Sequence, residues 1–405
     1  MWLYFLILKI AALWNPKARK LVQGQKQSLS RLQDFTSNGG KFLWLHAASV
    51  GEFEQGRPVI EKLKQLSPNI KIVVSFFSPS GYEAKKDYPL ADLVIYLPFA
   101  TNRNARKFIS AFNGNLIAAI FVKYEYWPAY LKQLKKSAVP TFSIASIFRP
   151  YQAFFRPIIG PAYRSLLKCF TSIMVQDQQS RLLLEKYGIN NSVVCGDPRF
   201  NRVLQVAAQE DNSKFSQINC LIKPKTIVAG STWPKDEQLL ARFIREHDDL
   251  QLVLVPHEIN PSHLQFIFNL FEGKYILYSE LNRQNAPAAR VVVVDQMGLL
   301  SRLYRYGAVA YIGGGFGAGI HNTIEAAAYS MPVVFGPNNK YFREAQDLKS
   351  IGAGFEIKNY QQLEQTLCSL LADPKSMAQA AHYYVISEQN ATDLIIDNLK
   401  HTIEL

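Results

Sequence analysis

From residue 41 onward, short apolar runs alternate with longer amphipathic segments. The run FLWLHAA is followed by the helix-like stretch EQGRPVIEKLKQL, and then by the apolar runs KIVVSFF, LVIYLPF and LIAAIFV. Such an alternation of strand and helix patterns indicates βαβ units, which build parallel sheets. The pattern therefore predicts an α/β fold.

The alternation stops between residues 201 and 224, which are mostly polar, and a second series then begins. Its apolar runs are TIVAGST, QLVLVPH, ARVVVVD, VAYIGGG and MPVVFGP. A chain of 405 residues with 48% hydrophobic residues is long enough for two cores. We therefore predict two domains, at residues 21–205 and 206–405, and we find no internal repeat.

The first fourteen residues, MWLYFLILKIAALW, are apolar apart from Lys9, and Lys17, Arg19 and Lys20 follow them. A membrane-spanning helix needs about 20 apolar residues, and a secretory signal has its positive charge before the apolar run. An amphipathic anchor with a basic flank on anionic headgroups fits the order better. We predict that residues 1–20 associate with a membrane; a spanning or cleaved segment and an ordinary packed helix are the alternatives.

The charge balance favours anionic partners, because 45 Lys and Arg against 32 Asp and Glu give a net charge of +13. Nucleic acid, phosphorylated substrates and an acidic membrane surface all qualify. The basic residues are dispersed and form no nucleic-acid-binding module, so we expect no nucleic acid partner. The cysteines, Cys169, Cys195, Cys220 and Cys368, lack zinc-site spacing and are expected to be free thiols.

Ligands of open parallel sheets bind beyond the carboxyl ends of the strands. One such position is the stretch YIGGGFGAGIHNTIEAAA, which predicts a strand, a glycine-rich turn and a helix that begins near His321. Glycine lets the backbone approach a phosphate closely, and a helix N-terminus favours its negative charge. Asn322 and Glu325 have the spacing of a capping pair, but Glu325 could instead bind ribose hydroxyls. A dinucleotide site is less favoured, because no acidic residue ends the next strand.

A second such position is SVGE, where Ser49 and Glu52 have the spacing of a capping box. Glu52 is alternatively a general base at the floor of a cleft. His46, within the preceding apolar run, is expected to be a hydrogen-bonded core residue. Lys123 and Glu125 follow another strand, and in extended chain they would share one face.

Arg199 lies in GDPRF near the domain junction. Its guanidinium could hold a phosphate or carboxylate through two hydrogen bonds, or it could form a surface ion pair.

Taken in order, SVGE, KYEYWP, GDPRF, GSTWPKDE, QMGLL and GGGFGAGIHNTIEAA resemble the 3-deoxy-D-manno-octulosonic acid (Kdo) transferases of lipopolysaccharide assembly, over nearly the whole chain. The resemblance implies a GT-B glycosyltransferase fold, in which two Rossmann-like domains face each other across a cleft. It implies CMP-Kdo as donor, a lipid A precursor (lipid IVA) as acceptor, an inverting reaction, and no metal or other cofactor. It further implies a location at the cytoplasmic face of the inner membrane, on an anionic membrane surface.

The resemblance also implies roles for particular residues. The N-terminal domain would bind the acceptor, with Glu52 as general base and Glu125 and Arg199 stabilising the transition state. The C-terminal domain would bind the nucleotide sugar through Pro256, His257, Met297, Gly298, Leu299, Asn322, Thr323, Ile324 and Glu325.

This chain departs from the family pattern at several positions. It has Lys123 where the family commonly has glutamate, Arg199 where it has lysine, and Pro256-His257-Glu258 where it has Pro-Arg-His. An alternative function is that of a GT-B nucleotide-sugar 2-epimerase or another nucleotide-sugar transferase. An epimerase acts on a soluble substrate and would not need the apolar, basic N-terminus.

Overall fold

The structure is a computed structural model, and it describes residues 10–209, 225–282, 284–285 and 289–404. The chain divides into two compact units. The first takes the residues up to Arg202 and those from Glu388 onward, and the second takes Val203–Ser387.

The first unit contains seven strands in one sheet. They are β1 (Phe42–Ala47), β2 (Lys71–Phe76), β3 (Leu93–Tyr96), β4 (Leu116–Val122), β5 (Thr141–Ser146), β6 (Ser172–Val175) and β7 (Ser192–Val194). Its helices are α1 (Pro16–Thr36), α2 (Val50–Leu66), α3 (Pro79–Lys85), α4 (Asn102–Ser110), α5 (Pro128–Lys136), α6 (Gly160–Leu167), α7 (Gln178–Lys186) and the start of α8 (Arg199–Ala208).

The sheet order is β3-β2-β1-β4-β5-β6-β7, and all neighbouring strands are parallel. The direction of winding reverses between β1 and β4, where loops diverge and leave room for a ligand. The strands are buried on both faces, which explains why they are continuously apolar in sequence. One core centres on Trp44, Phe108 and Phe121, and the other on Leu45, Phe53 and Ile144.

The second unit repeats this plan. Its strands are β8 (Thr226–Thr232), β9 (Gln251–Pro256), β10 (Ile276–Leu277), β11 (Val291–Val293), β12 (Val309–Ile312), β13 (Val333–Phe335) and β14 (Gly354–Glu356). Its helices are α9 (Pro234–Glu246), α10 (Pro261–Phe271), α11 (Leu300–Leu303), α12 (Ile324–Ala327), α13 (Arg343–Ser350), α14 (Tyr360–Ala372) and α15 (Lys375–Ser387). The parallel sheet has the order β10-β11-β9-β8-β12-β13-β14, so its switch point lies between β8 and β12.

The last helix, α16 (Ala391–Lys400), corrects the predicted domain boundaries. The sequence analysis assigned all of residues 206–405 to the second domain, but residues from Glu388 onward pack in the first unit. Ile395, Ile396 and Leu399 form an apolar stripe on α16 and join the core that contains Leu43 and Val59. This long-range packing leaves no local sign in the sequence.

The N-terminal prediction falls partly outside the described residues, because these begin at Ile10. Among the residues that are described, no helix is both long and apolar enough to cross a membrane. Cys169, Cys195 and Cys368 are free thiols as expected, and Cys220 lies outside the described ranges.

Candidate active site

Glu52 lies in the first turn of α2, directly beyond the carboxyl end of β1. The Ser49 side chain accepts a hydrogen bond from the Glu52 amide at 3.4 Å, and Glu52 Oε2 accepts from the amides of Ala48 at 2.5 Å and Ser49 at 3.2 Å. The capping box is therefore formed. It uses one carboxylate oxygen as acceptor for both amides, so structural capping does not consume the whole carboxylate.

The surroundings of Glu52 favour its protonated form. Burial raises the pKa of Glu52, and the negative charge of Glu125 raises it further, against the lowering by the Ala48 amide, His46 and the Ser49 amide. A carboxyl group with a raised pKa is a stronger proton acceptor once ionised. This gives Glu52 a property that a solvent-exposed capping glutamate does not have.

Glu125 is held by a network that sequence analysis only partly anticipated. Its Oε2 lies 3.0 Å from His46 Nε2 and accepts from Trp127 Nε1 at 2.5 Å. His46 is fully buried, as expected, and its Nδ1 lies 2.9 Å from Ser75 Oγ. Trp44 Nε1 donates to that same Ser75 hydroxyl at 2.8 Å. Glu125 is thus fixed at the end of a buried polar chain.

Lys123 sits immediately after β4 in a left-handed conformation, with φ of 56°. The expectation that Lys123 and Glu125 share a face of extended chain is therefore wrong, because β4 ends at Val122 and the chain turns there.

Arg199 begins α8 and is paired with Asp197, which is almost fully buried. Its Nε and Nη2 each lie 2.7 Å from Asp197 Oδ2, and Gln55 of α2 donates to Asp197 Oδ1 at 3.0 Å. Burial opposes ionisation of Asp197, but the charge of Arg199, the Arg199 amide, the charge of Lys123 and the Gln55 hydrogen bond together outweigh it and lower the pKa of Asp197. Gln55 follows Glu52 by one helical turn, so α2 positions both the glutamate and, through Asp197, the arginine.

In the second unit, the glycine-rich turn between β12 and α12 is anchored by Asp236 of α9. Asp236 Oδ2 accepts from the amides of Trp233 at 3.0 Å and Gly314 at 2.9 Å, and Oδ1 accepts from the Tyr311 hydroxyl at 2.7 Å. Gly314 has a φ of 90°, where a side chain would be strained. At Gly313 a Cβ would lie 2.3 Å from the Ser231 carbonyl oxygen. Both glycines are therefore needed for the turn to pass this close to β8.

Three aromatic rings stand together at this edge of the second sheet. Trp233 stacks on His257 with ring centroids 4.9 Å apart, and His257 stacks on His321 at 4.3 Å. Trp233 Nε1 donates to His321 Nε2 at 3.2 Å, so that nitrogen is an acceptor and the ring is neutral with its proton on Nδ1. Burial lowers the pKa of His321, and the neighbouring His257 lowers it further.

Asn322, Thr323, Ile324 and Glu325 lie where the turn enters α12. That helix begins at Ile324, not near His321, and has four residues, so the expected phosphate site at the N-terminus of a longer helix is not formed. The reason is that residues 319–322 remain in irregular backbone after the glycines. Glu325 Oε1 accepts from the Asn322 side-chain amide at 2.8 Å, so the pair is joined through side chains. The buried Thr323 hydroxyl has no hydrogen-bond partner among the residues that the structure describes.

The remaining predicted nucleotide contacts also follow strands of the second sheet. Pro256 ends β9 and is buried, and His257 after it is exposed. Met297 is 75% exposed, and Gly298 after it has a φ of 84°. These residues and Leu299 precede α11 in the loop after β11. All the predicted residues of this unit therefore lie at the carboxyl edge of its sheet.

Sequence analysis missed several residues that shape these two edges. Asp197, Asp236 and His321 were not proposed as site residues, and neither was Glu237, which accepts from the Thr232 hydroxyl at 2.9 Å. The one available sign was their position next to a strand end in a motif already quoted, such as GDPRF or GSTWPKDE. Their partners are 75 or more residues away in several cases, as for Asp236 and Tyr311.

Comparison with known proteins agrees with the motif order. Residues 21–202 match the family described as 3-Deoxy-D-manno-octulosonic-acid transferase (kdotransferase). A 3-deoxy-D-manno-octulosonic acid transferase of Rickettsia typhi is 26% identical over 367 residues, covering 88% of this chain and 77% of the relative. The enzyme of the same name from Aquifex aeolicus is 27% identical over 350 residues, covering 83% and 87%.

The first unit thus matches the Kdo transferase family, and the chain is similar to Kdo transferases over most of its length. It is accordingly a glycosyltransferase, and the prediction of enzyme class is confirmed. The family match covers the first unit, which carries Glu52, Glu125 and Arg199.

Solved structures confirm the GT-B fold class. A UDP-GlcNAc 2-epimerase from Neisseria meningitidis bound to UDP-GlcNAc superposes with a TM-score of 0.66 at 13% identity, covering 89% of this chain and 100% of that one. A glycosyltransferase from Rickettsia africae superposes with a TM-score of 0.59 at 14% identity, covering 90% and 98%. At these identities the likeness concerns the fold alone.

Proposed function

We propose that this protein is a Kdo transferase that moves Kdo from CMP-Kdo to a lipid A precursor, lipid IVA, at the cytoplasmic face of the inner membrane. Relatives named 3-deoxy-D-manno-octulosonic acid transferase support the proposal that the transferred sugar is Kdo. The net charge of +13 suits both a phosphorylated acceptor and an anionic membrane. Neither a metal nor another cofactor is required in this proposal.

The proposed reaction is a single displacement. An acceptor hydroxyl oxygen attacks the anomeric carbon of Kdo and forms the new glycosidic bond, while the bond from that carbon to the phosphate oxygen of CMP breaks. The electron pair of the broken bond leaves with CMP, and the hydroxyl proton passes to the Glu52 carboxylate. Attack opposite the leaving group inverts the anomeric carbon.

The observation that carries this proposal is the position, burial and hydrogen bonding of Glu52. It lies at the switch point of the first sheet, partly buried, with a pKa raised by burial and by Glu125. A general base must combine such a pKa with a free lone pair toward the substrate. The capping contacts use Oε2, and no hydrogen bond to Oε1 is found among the described residues.

Charge neutralisation during the displacement is proposed for Arg199. CMP-Kdo is anionic, and negative charge grows on the departing phosphate, so a fixed cation lowers the barrier. The Asp197 pair holds the guanidinium in one orientation through Nε and Nη2. Glu125, fixed by His46 and Trp127, is proposed to stabilise positive charge that develops on the sugar ring.

Nucleotide binding is proposed for the carboxyl edge of the second sheet. Glu325 would accept hydrogen bonds from the ribose hydroxyls, and Asn322 orients it. The amides of the glycine-rich turn suit the phosphate of CMP, because the glycines let the backbone approach closely. Pro256, His257, Met297, Gly298, Leu299, Thr323 and Ile324 would complete the nucleotide contacts.

The test is to incubate the purified protein with CMP-Kdo and tetra-acylated lipid A precursor and to weigh the product by mass spectrometry. The expected product carries one or more added Kdo residues, and its glycosidic linkage has the opposite anomeric configuration to the donor. Release of free Kdo without glycosylated lipid, or no consumption of CMP-Kdo, would overturn the proposal. The same assay with UDP-GlcNAc tests the epimerase alternative, for which UDP-ManNAc would be the product.

A further inference from the structure

The loop between β5 and α6 carries an exposed apolar tip. Ile158 is 92% exposed and Ile159 is 41% exposed, while Tyr151 and Tyr163 on either side are 64% and 43% exposed. Single exposed apolar residues are common, but a contiguous group marks an interaction site. We call Tyr151, Arg156, Ile158, Ile159 and Tyr163 the loop-tip surface.

The loop-tip surface is held outward by the packing beneath it. Phe154 and Phe155, between its members, are buried against Tyr126, Phe148 and Tyr187. Arg164 Nη1 donates to the Phe154 carbonyl oxygen at 2.7 Å, and a Cβ at Gly160 would lie 2.6 Å from that oxygen. The exposed isoleucines therefore cannot fold back into the core without breaking these contacts.

The segment that carries this surface has charges of one sign, although Arg149 within it is paired with Asp177. Residues 147–168, IFRPYQAFFRPIIGPAYRSLLK, contain Arg149, Arg156, Arg164 and Lys168 but no aspartate or glutamate. Arg156 is exposed beside the isoleucines. Apolar residues with a basic rim are complementary to an anionic lipid surface. Two copies of the same surface would instead bring like charges together.

The position of the surface relates it to Glu52. The loop leaves the carboxyl end of β5, so it lies at the same edge of the first sheet as Glu52 and Glu125. Tyr124, which follows β4, is close enough to Arg149 and Tyr151 for their charges to influence its pKa, which burial raises. The first residues of the loop therefore lie near Tyr124, which directly precedes Glu125.

A second exposed apolar group stands at the same edge, on the other side of Glu52. Leu13 and Trp14, which are 63% and 76% exposed, precede α1. The first half of α1 is fixed near the carboxyl ends of β2 and β3, because Gln25 donates to the Leu97 carbonyl and Lys20 pairs with Glu83 of α3. β3 and β5 are separated by three strands, or roughly 19 Å at the usual strand spacing.

We propose that the loop-tip surface docks onto an anionic bilayer, together with the apolar residues that precede α1. Two apolar contacts flanking Glu52 at one sheet edge would turn that edge toward the membrane, where a lipid-linked acceptor presents its sugar hydroxyl. The inference rests on the proposed function for the nature of the acceptor. The loop-tip surface would be a second membrane contact besides the N-terminal segment, and two contacts would fix the orientation of the first unit on the membrane.

The experiment compares the full-length chain with Ile158→Ser/Ile159→Ser in cosedimentation with vesicles of phosphatidylglycerol and phosphatidylethanolamine. Both side chains are exposed, so the fold should tolerate the change, which thermal unfolding checks. The vesicle partition coefficient should fall about tenfold or more, as expected for loss of partly buried isoleucines. Ile351→Ser/Ile386→Ser, which alters two isoleucines exposed by 42% and 36% in the second unit, is the matched control and should bind as the unaltered chain does.

Other outcomes identify other occupants. Unchanged vesicle binding by the Ile158→Ser/Ile159→Ser protein would overturn the proposal. The proposal would also be overturned if the Ile158→Ser/Ile159→Ser protein lost Kdo transfer to detergent-dispersed acceptor as strongly as transfer to vesicle-embedded acceptor. That result would mean that the surface binds the acceptor itself. A dimer of the unaltered chain in sedimentation velocity that the double substitution dissociates would show that a second copy covers the surface. Vesicle binding is measured without substrates, so its result is independent of whether CMP-Kdo is the donor.

Discussion

In both units the first strand of the sheet lies between the second strand and a later one, but the two units place different chemistry at this edge. In the first unit, the switch point between β1 and β4 holds Glu52, Glu125, Lys123 and the Asp197–Arg199 pair. In the second, the switch point between β8 and β12 holds the Trp233–His257–His321 rings and the glycine-rich turn. The scaffold therefore determines where chemistry can occur, and local residues determine which chemistry it is.

The two units also differ in the hydrogen bonds that their buried carboxylates, Glu52 and Asp236, accept. Glu52 keeps an oxygen beyond its capping contacts, whereas both oxygens of Asp236 are used to hold Trp233, Tyr311 and Gly314. Burial raises the pKa of both carboxyl groups. A raised pKa at such an edge thus accompanies both the proposed catalytic role of Glu52 and the structural role of Asp236, and the hydrogen-bond pattern separates the two.

The largest expected effect is that of Glu52→Gln on turnover. Glutamine can accept the hydrogen bonds from the Ala48 and Ser49 amides but cannot take up the acceptor proton, so kcat should fall by about 10²- to 10⁴-fold. Stability should change by less than the ~1 kcal/mol typical of a lost helix cap. Glu61→Gln on the same helix is the control and should leave kcat unchanged. Retention of more than about a tenth of the turnover would make Glu52 a structural cap.

The next largest effect should come from Asp236→Ala in the second unit. The substitution leaves the Gly314 amide and the buried Tyr311 hydroxyl without their partner. Each unsatisfied buried group costs about 1–3 kcal/mol, so the free energy of unfolding should fall by roughly 2–3 kcal/mol or more. Chemical denaturation measures this. Asp248→Ala, at a carboxylate 90% exposed, is the control, and equal losses in the two variants would contradict the anchoring role.

Glu325→Gln should weaken CMP binding without a comparable loss of stability. The amide oxygen can still accept from Asn322, but the loss of charge weakens hydrogen bonds from ribose hydroxyls. The dissociation constant measured by calorimetry should rise about tenfold, since hydrogen bonds to charged groups contribute about 1.5–3 kcal/mol. Glu364→Gln, at a glutamate on α14, is the control and should leave the dissociation constant of CMP unchanged. A lower melting temperature with unchanged CMP affinity would instead assign Glu325 a structural role.

The smallest effect is a displacement of the pH profile in Glu125→Gln. Glu52 must be ionised to act as a base, so activity should be lost as pH falls through its raised pKa. The charge of Glu125 contributes to that rise, and its removal should lower the pKa of Glu52. The acidic limb of kcat/KM should therefore move to lower pH. A limb that stays in place or moves to higher pH would show that the titrating group is not Glu52.

Much of the fold was predictable, because strands buried on both faces are continuously apolar and the helices between them are amphipathic. The strands β10 and β14 were missed, since they have two and three residues. The start of α12 was misplaced by about three residues because the sequence does not show where irregular backbone ends. The packing of α16 in the first unit brings residues more than 300 positions apart, such as Leu399 and Leu63, into one core.

The candidate site was predictable in its position but not in its supporting contacts. Motifs at strand ends identified Glu52, Arg199 and Glu325, because parallel sheets collect their loops at one edge. The partners of these residues are set by three-dimensional packing. Gln55, for example, contacts Asp197 across 142 positions, and no spacing in the sequence indicates that contact.

The central claim is that proton transfer belongs to the first unit and nucleotide binding to the second. Its most direct test measures single-turnover rate and CMP affinity on the same preparations of Glu52→Gln and Glu325→Gln. The account predicts that Glu52→Gln with saturating CMP-Kdo transfers Kdo at least about 10²-fold more slowly while its CMP affinity is unchanged. It predicts that Glu325→Gln binds CMP more weakly but approaches the normal rate when the donor is saturating. Parallel losses of rate and affinity in both variants would contradict the division.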